Sequence, residues 1–156
     1  MNAFSNRLQL PTYADLPLHD TPDEIFLSTQ RGTNDLTPIR HYCFLAQIQQ
    51  VSFIDRPRIT ICTDATTGST AIIESNSRSS PTTFSWPDLK PGNTIAILYA
   101  TKRILSDGTL GIRQDDLSKV YIFRAQVSAV VSYATKLTCK PRECFQHGCV
   151  RKTMLI

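Results

Sequence analysis

Five extended segments between residues 42 and 124, a polar break after the third, and one late stretch of three- and four-residue apolar spacing predict an all-β protein with a C-terminal helix. Three strands, a gap and two more strands is the layout of a five-stranded Greek-key barrel of the OB type. The chain divides into an N-terminal arm (1–39), an OB-like barrel (40–125), a C-terminal helix (126–138) and a basic cysteine-containing tail (139–156).

The arm is rich in Pro, Thr and Asp. Pro11, Pro17, Pro22 and Pro38 exclude a long helix. One helical turn is expected over Thr21 to Leu27, with Thr21 as cap and Pro22 at the first helical position. Tyr13, Leu16, Leu18, Ile25, Phe26 and Leu27 give the segment too many large apolar side chains for a solvated linker, so it should lie across the barrel.

The first strand, Tyr42 to Phe53, starts apolar on both faces and turns polar on one, as a long curved strand serving two sides of a barrel would. Asp55-Arg56-Pro57 is a turn. In the second strand, Arg58 to Thr63, Ile59 and Ile61 share a face. The third is Thr70 to Glu74. Residues 75–92 carry Pro81, Pro87 and Pro91, so a loop with at most one helical turn should replace the helix common at this point. Phe84, Trp86 and Leu89 would plug the open end of the barrel there. Pro91-Gly92 launches the fourth strand, Thr94 to Ile104, and Ser106-Asp107-Gly108 turns it back into "TLGIRQ". The closing strand is Val120 to Arg124. Val127, Val130, Val131, Ala134 and Leu137 then recur at helical spacing.

With 156 residues the chain is one domain plus extensions, and 41% hydrophobic with 19% charged is ordinary for a soluble protein. No apolar run approaches the roughly 20 residues of a membrane helix, and Met1 to Leu10 has no apolar core of signal-peptide length. The expected location is intracellular, nucleus or cytoplasm. The net charge of +4 is uneven. Residues 1–40 hold three basic and five acidic side chains, residues 41–135 nine and seven, and residues 136–156 five and one. Most of the excess sits in the tail, and the barrel's own excess is too small to identify a nucleic-acid footprint.

"KPGNTIAILYATKRILSDGTLGIRQDDLSKVYIF" resembles the second half of single-strand-binding OB domains of the replication-protein-A and telomere-protein kind, and "FLAQIQQVSFIDRPRITICTD" their opening strands. "PTYADLPL", "HYCFLAQI", "KPGNTIAILYA", "DGTLGIRQDDLSKVYIF" and the cysteine-bearing tail resemble the β-rich domain that precedes a MYND-type zinc finger in fungal proteins, over most of residues 10–149. That finger uses seven Cys and one His and opens on a Cys-x-x-Cys knuckle. This chain has only Cys139, Cys144, His147 and Cys149, so the finger is incomplete or absent.

These expectations imply a non-enzymatic binding module. A single-stranded nucleic acid needs a basic groove with exposed aromatic platforms. Arg56, Arg58, Arg78, Lys102, Arg103 and Arg113, with Trp86 and Tyr99, are the candidates; Lys119 and Arg124 add charge. Asp55, Asp64, Glu74 and Asp107 near the same loops would repel phosphates. The alternative is a protein–protein interaction scaffold, with contacts or homo-oligomerisation through the helix or tail. Cys139, Cys144, His147 and Cys149 form a Cys₃His set of the kind structural zinc accepts, and a loose tail of free thiols is the competing account. Apart from that zinc no cofactor is expected. His19, His41 and His147 form no nucleophile–base motif, and there is no P-loop or dinucleotide fingerprint.

Overall fold

The computed structural model describes residues 9–21, 23–29, 36–53, 58–62, 70–75 and 81–136. A short hairpin comes first, β1 (Leu27–Thr29) against β2 (Leu36–Pro38). The main sheet is built on β3 (Cys43–Ser52), which pairs antiparallel with β4 (Arg58–Cys62) on one side and β6 (Thr94–Leu98) on the other. Beyond β4 lies β5 (Thr70–Glu74), then β8 (Leu110–Arg113) in parallel with β5, then β7 (Lys102–Ile104). Beyond β6 lies β9 (Val120–Phe123). The order is β7-β8-β5-β4-β3-β6-β9. The fold is thus all-β with one C-terminal helix, α1 (Val127–Lys136). Among the described residues no ladder joins the two ends of the sheet, so the sheet itself does not close into a barrel.

The core follows the two-residue period of the strands. Phe44, Ala46 and Ile48 on β3 are buried with Ile59 and Ile61 on β4, Ile73 on β5, Ile95 and Ile97 on β6 and Ile112 on β8. β3 carries a register shift between Ile48 and Gln50, the kind of irregularity that bends a long strand. β6 is buried on both faces. Thr94 at its start satisfies its hydroxyl by donating to Ala125 O at 2.7 Å.

The expected fourth strand is broken. Tyr99 has φ +56°, a left-handed backbone that a bulky residue rarely adopts. It separates β6, which stays with β3, from β7, which leaves to pair with β8. The Tyr99 N–H still donates to Tyr42 O at 3.2 Å. The last strand also differs from its expected closing role: β8, not β9, runs beside β5, and β9 lies on the far edge of β6.

The arm is part of the core. Leu16, Phe26 and Leu27 are buried and Tyr13 is half-buried, while Leu18 and Ile25 stay exposed. Gln9 O accepts from Cys43 N at 2.9 Å, and Pro17 O and His19 N bond Lys102 N and O, both at 2.8 Å. Residues 9–19 therefore run from β3 to the free edge of β7. The expected turn over 21–27 is capped by Asp23 rather than Thr21: its carboxylate accepts from Ile25 N, and its carbonyl accepts from Phe26 N and Leu27 N. The turn leads straight into β1, a strand and hairpin that the spacing does not announce.

In the proline-rich gap a single 3₁₀ turn forms at Trp86–Asp88, Leu89 is buried, and Trp86 stands edge-on to Phe84 and Phe53. Helix α1 lies within its expected range. The Gln47 side chain on β3 accepts from Val127 N at 3.0 Å and donates to Gly92 O and Asn93 O, tying the helix start to the sheet.

Candidate functional site

A cleft of about 720 Å³ lies between the β1–β2 hairpin and the end of the sheet formed by β7 and β8. The strand period decides what each wall presents. Leu27 and Thr29 alternate on β1, Leu36 and Pro38 on β2, and the register pairs Leu27 with Pro38 and Thr29 with Leu36. One face of the hairpin is therefore a largely apolar wall. On the opposite wall, Arg103 pairs in register with Gly111, two residues before Arg113 on the same strand. Both arginines thus leave the same sheet face. Glu74 and Arg58 continue that row, since Arg113 pairs with Glu74 and Glu74 with Arg58. Between the walls lie Tyr99, Thr101 and His19.

Tyr99 is held from several sides. Its hydroxyl is hydrogen-bonded to His41 Nδ1, its ring meets Tyr42 edge-on at 5.7 Å, and Lys119 Nζ sits 6.0 Å from its centroid. Burial, helped by the Asp23 and Tyr99 charges, pushes the neighbouring Tyr42 phenol well above its ordinary range, so it stays a neutral donor to Ala100 O.

The cleft cations face an equal number of carboxylates. Arg113 Nε bonds Asp115 Oδ2 at 3.1 Å and Lys119 Nζ lies 3.3 Å from Asp116 Oδ2. Asp20 lines the cleft as well. Asp116 caps the 3₁₀ turn Leu117–Lys119 and accepts from Ser118 N and Oγ; that hydroxyl first, and Lys119 after it, holds its carboxyl below the usual range. Asp115-Asp116 is thus a turn with a capping role. Among the described residues no side-chain hydrogen bond or ion pair engages Arg103, which makes it the cleft cation with an uncommitted fork.

The residues expected to bind are dispersed. Tyr99, Arg103 and Arg113 meet in the cleft. Arg58 leaves the same face but is paired with Asp107 in the β7–β8 turn. Lys102 points the other way, donating to Ala14 O at 2.9 Å and lying 5.6 Å from the Tyr13 ring centroid. Trp86 belongs to the Phe53–Phe84 cluster, away from these cations, and Arg124 nearby is paired with Asp88 at 2.9 Å. Arg56, Arg78 and the four tail residues Cys139, Cys144, His147 and Cys149 lie outside the described residues. The apolar hairpin wall and His19 were not foreseen. The alternation of Leu27–Thr29 and Leu36–Pro38 around Gly32 and Asn34 was the available signal, and each run is only three residues long.

No helix among the described residues is long and apolar enough to cross a membrane. Compared with models of known protein families and with curated proteins, the chain matches none.

Proposed function

We propose that the chain is a non-enzymatic binding module that takes a segment of a protein partner into the cleft between the β1–β2 hairpin and the β7–β8 face. The finer fold reading is an OB-type barrel. It is supported by the parallel β5–β8 pair and by β6 and β7 being two halves of one bent strand, which carries the sheet from its β3 side to its β8 side through the chain itself.

The observation that carries the choice of partner is charge compensation. A polyphosphate strand binds by neutralising its charge with lysines and arginines. Here Arg113, Lys119 and Arg58 each face a carboxylate on a neighbouring turn and Asp20 adds another, so among the described residues Arg103 alone of the cleft cations is unengaged, enough to anchor one ligand carboxylate but not a row of phosphates. The aromatic platforms are also split, with Tyr99 in the cleft and Trp86 elsewhere, so no continuous track of stacking rings and cations lines one path. A mixed-charge cleft with one apolar wall complements a polypeptide better.

An enzymatic reading would rest on Thr101, His19 and Asp20. Thr101 Oγ1 is 3.4 Å from His19 Nδ1, and His19 Nε2 is 3.8 Å from Asp20 Oδ1. Both contacts are long, and the N–H groups of His19 and Lys102 are engaged in the bridge between arm and β7, so neither serves as an oxyanion donor.

The test is selection of displayed random peptides on the full chain, followed by binding of the selected peptides to Leu36→Asp. The expected result is selected peptides whose binding drops at least tenfold with Leu36→Asp. Titration with a 20-nucleotide oligo-dT at two salt concentrations runs alongside. Tight, steeply salt-dependent binding of the oligonucleotide with no peptide selected would replace the protein reading by the nucleic-acid one.

A further inference from the structure

The two walls of the cleft differ in chemistry, and an extended ligand meets both at once. Leu36 and Pro38 present apolar surface from the hairpin, while Arg103 and Arg113 present guanidinium groups from the sheet. In an extended chain successive side chains point to opposite sides, so alternate residues would face alternate walls.

Spacing sharpens the match. Arg103 is in register with Gly111, and Arg113 is two residues further along β8, which makes the two arginines diagonal neighbours. Diagonal neighbours on adjacent strands are about 7–8 Å apart. Two residues along an extended chain advance roughly 6.6 Å. Acidic side chains at positions i and i+2 of an extended segment therefore fall on the two guanidinium groups, and the residue between them faces Leu36 and Pro38. The Arg fork is built for bidentate carboxylate pairing. Arg103 is free to form it at once. Arg113 must first release Asp115, a solvent-exposed pair of the kind that contributes little to stability.

We infer that the partner segment is an extended acidic peptide of the pattern acidic–apolar–acidic, anchored by a carboxylate on Arg103 with its apolar side chain on the Leu36–Pro38 wall. This inference rests on the cleft being the protein-binding site.

The probe is a fluorescein-labelled (Glu-Val)₄ peptide, with Glu₄Val₄ of the same composition, (Lys-Val)₄ and an eight-nucleotide oligo-dT as comparators, each titrated by anisotropy into the full chain. The alternating peptide should bind at least tenfold tighter than the block isomer, and (Lys-Val)₄ should not bind. Arg103→Ala should weaken the alternating peptide about tenfold, Arg113→Ala about threefold, and Arg103→Lys less than Arg103→Ala. Arg103→Gln repeats the test if the alanine variant fails to give the wild-type circular dichroism spectrum. Equal binding of the two acidic isomers, or affinity unchanged by both Arg103 variants, overturns the inference. If (Glu-Val)₄ does not bind while selected peptides still depend on Leu36, the acidic pattern is wrong and the cleft remains the protein site. If only the oligonucleotide binds, both fall.

Discussion

Tyr99 accepts a left-handed backbone that costs a non-glycine residue of order 1–3 kcal/mol, and it does so at the point where β6 and β7 part and the cleft opens. Its fixings to His41 and Tyr42 explain how the conformation persists. Sequence alternation places Tyr99 on the face of Ile95 and Ile97, yet one backbone angle turns its ring toward the cleft; nothing in residue type signals a positive φ at tyrosine. Gly111 is a second position where backbone proximity rules. A Cβ there would lie 2.5 Å from Leu105 Cδ1 and 2.6 Å from Ile72 O. The carbonyl belongs to β5 and cannot swing aside. Gly111→Ala should lower unfolding free energy by about 1–3 kcal/mol, measured by urea titration. Cys43 illustrates a thiol silenced by place. Burial, partly offset by a backbone hydrogen bond from Ile97, pushes it up to about 11. Iodoacetamide at pH 8 should alkylate half-buried Cys43 more slowly in the folded chain than in urea, read by peptide mass mapping over time.

At the scale of elements, the main strands were legible because alternating isoleucines define one buried face: Ile59 and Ile61, Ile95 and Ile97. Their ends were set by Pro and Gly, as at Pro91-Gly92, where Gly92 takes φ +91°. The β1–β2 hairpin was not legible, since three-residue strands have no measurable period and owe their pairing to tertiary burial of Phe26 and Leu27. The cleft was half legible for the same reason: its cationic wall lies on the long sheet, its apolar wall on that hairpin. Helix α1 was readable from valine spacing, but its attachment was not. Gln47, 80 residues away in sequence, caps it. Gln47→Ala removes that acceptor and the bonds to Gly92 and Asn93, and should cost about 0.5–2 kcal/mol. Loss of far-UV helical signal before the main unfolding transition would report helix release.

For the whole molecule, the ion pairs predict how the fold responds to acid. Hydrogen bonds from Arg124 to Asp88, from Thr109 and then Arg58 to Asp107, and from Ser118 to Asp116 hold all three carboxyls below their ordinary value. The folded state therefore binds fewer protons than the unfolded chain as pH drops. Their contribution is complete above the unfolded value near about 3.9 and is lost as pH falls through the lower folded values. Urea midpoints should show no dependence on these groups between pH 5 and 7 and should decline below about pH 4, with a shallower decline in Asp107→Asn. The arm that joins β3 to β7 has a further consequence, for synthesis. Ala14 and Lys102, joined through Lys102 Nζ, are 88 residues apart. At about 5–20 residues per second, the ribosome leaves the arm without that partner for roughly 4–18 s. The arm is thus seated on β7 only after β7 is made, and during that interval Leu16 is open to chaperones that later find it buried.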